Sequence, residues 1–321
     1  MRVLTGIQPS GDLHIGNYFG SIKQMVEAQK ENDTFAFIAN YHAMSSGNGG
    51  AALAEYTMQC AIDFLSLGID PHKSTFWVQS DVPEVLELYW ILSAFTPMGL
   101  LERAHSYKDK VAKGIHANHA LFSYPVLMAA DILLFSTDIV PVGKDQIQHV
   151  EIARDIAIKF NNKYGEILRL PKYKVEENVA TVPGIDGQKM SKSYGNTINI
   201  FGDEKKQLKT IKKILTQNVA LEEPKEWREC NVYNIAKLFL DEAGCKALQE
   251  RYEQGGEGHG HFKLYLAEIM WEYFRPYREK REYYMSHQDE VKEILQMGAT
   301  KAKEAAAPVI EKIRKATGLN Y

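Results

Sequence analysis

Strand-like and helix-like segments alternate along the first half of this chain, and that order restricts the fold more than any other feature. Residues 2–6 read as a strand, followed by a glycine-rich turn and a helical pattern. Buried-strand patterns at 35–39 and 74–79 are separated by an amphipathic helix at 51–67, and a helix at 85–95 follows. Because strands joined through helices pair in parallel, we expect an α/β fold with a Rossmann-like, doubly wound parallel sheet.

The pattern changes near Asp186, and the rest of the chain is predicted to be helical. Glycines punctuate a polar loop at 184–195, and no convincing strand follows residue 205. At about 150 residues per domain, 321 residues form roughly two domains. We therefore expect a C-terminal helical domain after the α/β domain.

Composition narrows the class of protein. The hydrophobic fraction of 45% and the charged fraction of 25% are ordinary for globular proteins, and no apolar run reaches the ~18 to 20 residues of a membrane span. The N-terminus opens into a strand pattern and not into a signal sequence, so we expect a cytoplasmic protein with no membrane partner. A net charge of −3 gives no global attraction to nucleic acid, so DNA is not expected and RNA contacts require local basic surfaces.

The turn after the first strand carries residues suited to a nucleotide. Gly11 and Gly16 leave room for a close approach, while His14 and Asn17 can donate hydrogen bonds to phosphate oxygens. In an open α/β sheet such a turn lies at the carboxyl end of a strand, where ligands bind. A tight turn with a capping Ser10 and a surface histidine explains the same residues, so this motif alone leaves the function open.

A second motif, Lys-Met-Ser-Lys-Ser at 189–193, lies where the α/β pattern ends. Lys189 and Lys192 lie on a Gly- and Ser-rich segment and can neutralise charge that grows on a departing pyrophosphate. A solvated loop between domains is the alternative for this motif alone. Together and in this order, the two motifs resemble the signatures of class I aminoacyl-tRNA synthetases.

Within that class, segment 123–146 is similar to the bacterial tryptophanyl-tRNA synthetase family. Similar stretches at 6–20, 101–110 and 251–263 extend the resemblance over nearly the whole chain. The resemblance implies an AMP-forming ligase that activates L-tryptophan with ATP and transfers it to tRNA(Trp).

The same resemblance implies how the chain is divided and assembled. It implies a catalytic domain at 1–186 that is rejoined by 289–321, a helical anticodon-binding domain at 187–288, and a homodimer. No Asp/Glu/His cluster forms a metal cage, and the three cysteines lie far apart without C-x-x-C spacing, so we expect no protein-held metal. Mg²⁺ would be held mainly by ATP oxygens.

Asp131 is an unusual residue on an apolar helical segment, because a buried carboxylate is costly unless it is paired. An N-cap or a salt bridge would explain it on structural grounds. The resemblance implies that Asp131 accepts the indole N–H of tryptophan, and a site built for such a donor rejects phenylalanine by roughly 10⁴ to 10⁵. The other residues that the resemblance places at tryptophan are the apolar Leu4, Met128, Ile132, Val140 and Val142 and the polar Tyr124, Gln146, His42 and Gln8. Leu4 stands where the family often has an aromatic residue. The apolar side chains could equally be ordinary core, and each polar one could serve only to satisfy buried backbone groups.

The implied ATP site draws on four parts of the chain. Lys110 would reach the phosphates, although a lone lysine in a polar segment is usually a surface residue. The full predicted set is Gln8, Pro9, Ser10, His14, Gly16, Asn17, Gly143, Asp145, Gln146, Lys189, Met190, Ser191 and Lys192. Catalysis is assigned to Gln8, Lys110, Lys189 and Lys192, which would act by positioning and by stabilising phosphate charge without a protein nucleophile.

Two basic segments are candidates for tRNA contact. One predicted helix carries Lys205, Lys206, Lys209, Lys212 and Lys213, and a second segment interleaves Arg275, Arg278, Lys280 and Arg281 with Tyr273, Phe274 and Tyr277. The second composition suits stacking on unpaired bases, whereas a solvated face explains any single lysine equally well. The glycine run at 47–50 lacks a P-loop ending, and the pair His259 and His261 lacks further metal ligands, so neither is predicted to be functional.

Three alternatives stay open. A tyrosyl-tRNA synthetase shares the fold and the chemistry but recognises a phenol hydroxyl. A catalytically silent paralogue would only bind RNA or sense tryptophan. A small-molecule adenylyltransferase shares the His-x-Gly turn but does not require the long helical part.

Overall fold

The structure, a computed structural model, describes residues 1–45, 49–104, 118–175 and 182–321. The chain forms two compact units, each assembled from distant segments. The first unit contains Met1–Gly11, Val26–Glu177 and Tyr284–Tyr321, and the second contains Asp12–Met25 and Asn178–Tyr283. The turn after the first strand, which the sequence predicts to bind a nucleotide, is therefore divided between the units. Gln8 and Ser10 belong to the first unit and His14 to the second.

A parallel sheet forms the centre of the first unit, as predicted. Its strands are β1 (Arg2–Ile7), β2 (Asp33–Ile38), β3 (Ser74–Val78), β4 (Ile139–Val142) and β5 (Lys172–Val175). Their order in the described residues is β3-β2-β1-β4-β5, and all neighbouring strands are parallel. The order reverses beside β1, so the carboxyl ends of β1 and β4 border the point at which open α/β sheets bind ligands.

Helices account for most of the remaining described residues. In chain order they are α1 (Ile15–Asn17), α2 (Lys23–Ala28), α3 (Asn40–Met44), α4 (Gly50–Ser66), α5 (Glu84–Ser93), α6 (Met98–Glu102), α7 (His119–Leu134), α8 (Ile147–Tyr164), α9 (Glu204–Lys212), α10 (Asn231–Ala236), α11 (Glu242–Gln254), α12 (His259–Ser286) and α13 (Gln288–Thr317). A π-helical turn at Tyr18–Ile22 joins α1 to α2. Within the described ranges every helix is too short or too polar to cross a membrane.

The core of the first unit lies where buried strands meet apolar helix faces. All five residues of β3 are buried, and the Trp77 ring stacks on Phe37 with centroids 5.5 Å apart. α13 packs directly on β3 through Gly298, where an added Cβ would lie 1.8 Å from the carbonyl oxygen of Phe76. Only glycine permits this approach, so the close packing of α13 on the sheet depends on the absence of a side chain at residue 298.

The second unit is helical apart from isolated bridges in the described residues, in line with the absence of strand patterns after residue 205. α9 begins at the N-cap Asp203, which accepts from the N–H of Lys206 at 3.0 Å. Lys225 is 3% exposed, and its ammonium group donates to the carbonyl oxygens of Ala220, Leu221 and Glu223. A buried charge is tolerated here because three acceptors replace water, and the loop before α10 is fixed by it.

Candidate active site

Polar side chains follow the carboxyl ends of the central strands in the first unit. Gln8 follows β1, His42 lies on the short α3 that follows β2, Gln79 follows β3 directly, and Gly143 follows β4. The carboxyl ends of parallel strands lie at one edge of the sheet, which is the edge where such folds bind ligands. The sheet topology thus places four chain segments at one candidate site.

Asp131 on α7 is the centre of a buried hydrogen-bonded group. Its side chain is 4% exposed, and its Oδ2 lies 2.8 Å from Nε2 of His42. The Nε2 amide of Gln79 donates to Oδ1 at 2.8 Å and to Oδ2 at 3.0 Å. The structure therefore brings the predicted pair Asp131 and His42 together and adds Gln79, which the sequence reasoning missed.

The electrostatics of this group favour a further donor. Burial raises the pKa of the Asp131 carboxyl, and the hydrogen bonds from His42 and Gln79 oppose that rise. A carboxylate offers about four lone-pair positions, so one more N–H can be accepted beside the two partners present. Such a group is a selective acceptor for a buried N–H and leaves an unpaired charge when the ligand has no donor.

Apolar side chains predicted around tryptophan belong to the core of the same unit. Leu4, Ile132 and Val140 are at most 5% exposed, while Met128 and Val142 are partly buried and pack against the same cluster. Partial burial leaves Met128 and Val142 with accessible apolar surface next to a buried core. They are the members of the set best able to contact a ligand.

Tyr124 is held by a buried histidine of the same unit. Its hydroxyl lies 2.5 Å from Nε2 of His149, which is 1% exposed, and its ring meets His42 edge-on with centroids 6.3 Å apart. Burial raises the pKa of the Tyr124 phenol well above its usual value, so its hydroxyl keeps its proton at neutral pH. Gln146, at the end of a 3₁₀ turn after β4, is partly buried.

Gln79 and His149 are the residues of this region that sequence reasoning did not single out. Gln79 is a polar residue placed immediately after a fully buried strand, and its position at a strand's carboxyl end was a usable signal. His149 lies on the buried face of α8 between apolar neighbours, and no local pattern distinguishes it from core.

His14 in the second unit is a buried helix cap and not the surface histidine that the structural alternative assumed. It is 6% exposed, its backbone N–H donates to Oδ1 of Asn17 at 3.0 Å, and its Nδ1 accepts from the Asn17 N–H at 3.3 Å. This reciprocal pair forms a capping box, and Ser10 is not the cap. Because Nδ1 accepts, the proton of the neutral ring lies on Nε2, which is left as a donor.

The second unit also brings the two signature motifs together. The N–H of Ile15 donates to the carbonyl of Ile198 at 3.0 Å, and the N–H of Ile200 donates to the carbonyl of Leu13 at 2.9 Å. At Gly16 an added Cβ would lie 3.3 Å from Cβ of Met190, so this glycine allows the motifs to touch. Burial, with the positive charge of Lys192 as the second cause, lowers the pKa of His14 to about 4.

The Asn196 side chain anchors the backbone of the Lys-Met-Ser-Lys-Ser loop by hydrogen bonds. Its side chain is buried; Oδ1 accepts from the N–H of Ser191 at 2.8 Å, and Nδ2 donates to the carbonyl of Lys189 at 3.2 Å and to Oδ1 of Asp186 at 2.8 Å. Met190 is buried at 5% exposure, whereas Lys189 and Lys192 are exposed. The loop therefore has an anchored backbone that presents two cationic side chains to solvent.

The other predicted ATP residues are placed as follows. Gln8, Ser10 and Gly143 are exposed, and Pro9 is buried. Ser191 caps a short 3₁₀ turn by accepting from the N–H of Ser193. Lys110 lies outside the described residues, as do Gly47 and Asn48 of the discounted glycine run, and the side chain of Asp145 is likewise outside them.

The two basic segments differ in how well they match the sequence prediction. The lysines of and beside α9 are all exposed, namely Lys205, Lys206, Lys209, Lys212 and Lys213. On α12, however, Phe274 is fully buried and Tyr273 and Tyr277 pack on Tyr18, so the expectation that these rings stack on unpaired bases is wrong for Phe274. Arg278 covers Trp271 at 3.4 Å, and Arg281 covers Phe201 at 4.9 Å.

In the described ranges no group of three or more His, Cys, Asp or Glu side chains is arranged to hold a metal ion. The chemistry visible in both regions is that of hydrogen-bond donors, acceptors and exposed cations. Such an arrangement serves binding and charge neutralisation.

Comparison with known proteins identifies the family. A family model described as tRNA synthetases class I (W and Y) matches residues 1–275. The tryptophan–tRNA ligase of Campylobacter jejuni (strain RM1221) is 65% identical over 319 residues, which cover 99% of this chain and 100% of that protein. The tryptophan–tRNA ligase of Rhodopirellula baltica is 48% identical over 319 residues, with coverage of 99% and 100%.

Among solved structures, the Campylobacter jejuni tryptophanyl-tRNA synthetase complexed with ADP and tryptophan has a TM-score of 0.96 and 64% identity, and covers 99% of this chain and 100% of that chain. Its fold is thus shared along practically the whole length. With a family model that matches well over half of its residues, the chain belongs to the class I tRNA synthetases of the tryptophan and tyrosine group.

Proposed function

We propose that this chain is an AMP-forming tryptophan–tRNA ligase, which activates L-tryptophan with ATP and transfers it to tRNA(Trp). Full-length relatives carry that name, and the Campylobacter jejuni enzyme binds ADP and tryptophan. The observation that carries the specificity is the buried Asp131 carboxylate, held by His42 and Gln79. Its remaining acceptor capacity matches the indole N–H.

The proposed tryptophan site is formed by residues of the first unit. Asp131 accepts the ring N–H, and Met128 and Val142 contact the apolar faces of the indole beside the buried core of Leu4, Ile132 and Val140. Tyr124, fixed by His149, and Gln146 hold the α-amino end. Phenylalanine would leave the carboxylate without a donor, which is the costly situation on which discrimination depends.

The activation step needs positioning and charge neutralisation. The tryptophan carboxylate attacks the α-phosphorus of ATP, the bond from that phosphorus to the bridging oxygen breaks, and pyrophosphate leaves with its electron pair. Lys189 and Lys192 stabilise the growing negative charge, and Nε2–H of the neutral His14 donates to a phosphate oxygen. Mg²⁺ enters with the nucleotide as its complex, because small hard cations favour phosphate oxygens.

The remaining ATP contacts are assigned by the family resemblance. Gln8, Pro9, Ser10, Gly16 and Asn17 border the nucleotide, Gly143, Asp145 and Gln146 contact the ribose, and Lys110 reaches the phosphates. In the second step a terminal ribose hydroxyl of tRNA attacks the carbonyl carbon of the adenylate, and AMP leaves. Neither step requires a protein nucleophile.

Transfer RNA contact and assembly are also part of the proposal. The exposed lysines of α9 supply phosphate contacts, and residues 187–288 are assigned to anticodon binding. We assign the chain to the cytoplasm as a homodimer, and the dimer is supported by apolar surface on and near α5, where Leu86, Trp90 and Met98 are 39%, 76% and 62% exposed. Light scattering should give a dimer mass that Trp90→Glu lowers, whereas Leu319→Glu at another exposed apolar position leaves it unchanged.

Pyrophosphate exchange into ATP with each of the twenty amino acids tests the function directly. We expect exchange with tryptophan and, at a rate lower by several orders of magnitude, with phenylalanine. Exchange with tyrosine in place of tryptophan would establish the tyrosyl alternative. The absence of exchange with any amino acid, in a protein that still binds tryptophan, would establish the silent paralogue.

A further inference from the structure

Two partly buried tyrosines on α12 meet the buried Tyr18 in the second unit. Tyr273 and Tyr277 lie one helical turn apart, and each of their hydroxyl oxygens is 3.1 Å from the hydroxyl oxygen of Tyr18. Tyr18 is 3% exposed. A phenol hydroxyl can donate one hydrogen bond and accept two, so Tyr18 can satisfy both partners at once.

The three rings are fixed by aromatic packing around them. Tyr18 meets Tyr273, Tyr277 and Phe274 edge-on, with centroids 6.0, 5.9 and 5.2 Å apart. Burial, assisted by the two hydrogen bonds, raises the pKa of Tyr18, so the hydroxyl stays protonated. Phenylalanine would supply the same apolar contacts, and the hydroxyls add directional bonds that prevent α12 and the Tyr18 ring from sliding past each other.

Tyr18 is connected to the candidate ATP site by the backbone. It follows Asn17 directly, and Asn17 forms the reciprocal cap with His14. The opposite side of this turn is held by the backbone bonds of Ile15 to Ile198 and of Ile200 to Leu13. The position of His14 beside Met190 and Lys192 therefore depends on two sets of constraints, one from the segment after the lysine motif and one from α12.

We propose that Tyr273 and Tyr277 are positioning residues for the ATP step, and that through Tyr18 they hold His14 and Asn17 in register with the 189–192 motif. The inference rests on the proposed function. The hydroxyls touch no reacting atom, and a misplacement of a phosphate donor by a fraction of an ångström lowers the rate without weakening amino-acid binding.

The experiment compares Tyr18→Phe, the double variant Tyr273→Phe/Tyr277→Phe and the triple variant in pyrophosphate exchange. Tyr18→Phe and the double variant break the same bonds, so each should lower kcat by about 10-fold, and the triple variant should be no slower. The KM for tryptophan should stay within about 2-fold of the wild type, since its predicted residues lie in the first unit. Tyr265→Phe removes a hydroxyl elsewhere on α12 and should leave both constants unchanged.

Active-site titration and thermal unfolding of each variant separate positioning from folding. The inference is overturned if the phenylalanine variants exchange at the wild-type rate per active site, or if the effects of Tyr18→Phe and of the double variant multiply in the triple variant. A wild-type protein that shows no tryptophan-dependent exchange refutes the proposed function, and this inference with it. Wild-type exchange together with unaffected variants refutes the inference alone.

Discussion

The region around Asp131 and the region around Lys189 and Lys192, which we propose as the two binding regions, are built by opposite physical means. Asp131 is buried, and one of its two hydrogen-bonding partners, Gln79, is itself held by the backbone N–H of Tyr41. The lysines are exposed on a loop whose backbone, not its side chains, is anchored by Asn196. Recognising one N–H requires a desolvated acceptor of fixed geometry, whereas neutralising a departing polyphosphate requires cations that can follow a moving charge.

The direction of the pKa shifts in the two regions follows this difference. Burial raises the pKa of the acid Asp131 and lowers the pKa of the base His14, so in each case burial favours the neutral form. In the first region the hydrogen bonds from His42 and Gln79 oppose that tendency. In the second region the nearby Lys192 reinforces it and keeps His14 neutral beside a cation.

The largest expected effect comes from Asp131→Asn, which keeps the shape of the side chain and removes its charge. We expect kcat/KM for tryptophan in pyrophosphate exchange to fall by about 10³-fold, because a buried charge-assisted acceptor is lost, while the KM for ATP stays near the wild-type value. The free energy of unfolding should not decrease, since burial already disfavours the charged carboxylate. Asp155→Asn on an exposed face of α8 is the matched control, and an unchanged kcat/KM for the Asp131 variant would remove the basis of the comparison.

The second effect in size is expected from Lys192→Ala. Loss of one cation at the leaving pyrophosphate should lower kcat for exchange by about 10²-fold, whereas the Kd for tryptophan measured by titration calorimetry should not change. Lys301→Ala, an exposed lysine on α13, serves as the control. A variant that loses tryptophan affinity and keeps its kcat would show that the two regions do not divide the work as described.

The stability of the region around His14 and Lys192 should depend on pH through the titration of His14. His14 has a folded-state pKa of about 4 against 6.5 when unfolded, so the unfolded chain binds more protons between these values. The stability contributed by neutral His14 is complete above about pH 6.5 and is lost as the pH falls towards 4, with a loss of about 2 kcal/mol once partial solvent screening is allowed for. Urea unfolding at pH 7.5 and 4.5 should show a smaller difference for His14→Asn, which keeps a capping acceptor. Equal differences in both proteins would contradict the assigned shift.

The smallest effect concerns the anchor of the lysine loop. Asn196→Ala leaves the N–H of Ser191 and the carbonyl of Lys189 without this partner, and we expect about a 10-fold fall in kcat with little change in the KM for tryptophan. Asn234→Ala, which removes a 2.9 Å bond to the carbonyl of Arg228 away from the motif, is the comparison. If both variants lower kcat alike, Asn196 stabilises the unit in general and does not serve the loop.

Much of the fold and part of the site could be predicted from the sequence, because they depend on local pattern. Alternating strand and helix patterns predicted the parallel sheet, and the two motifs with segment 123–146 predicted the family. The residue type of Asp131 on an apolar helix predicted an unusual buried carboxylate, which the structure contains. These features are encoded in neighbouring residues, where periodicity and composition can be read directly.

Contacts between distant residues were decided only by tertiary structure. His42 and Gln79 lie 89 and 52 positions from Asp131 and reach it because β2 and β3 end at the same edge of the sheet. The burial of His14 and the meeting of Tyr18 with Tyr273 and Tyr277 depend in the same way on segments more than 170 positions apart. Local propensity carries no information on such pairs, since the free energy that joins them comes from burial and hydrogen bonding that exist only after the chain has folded.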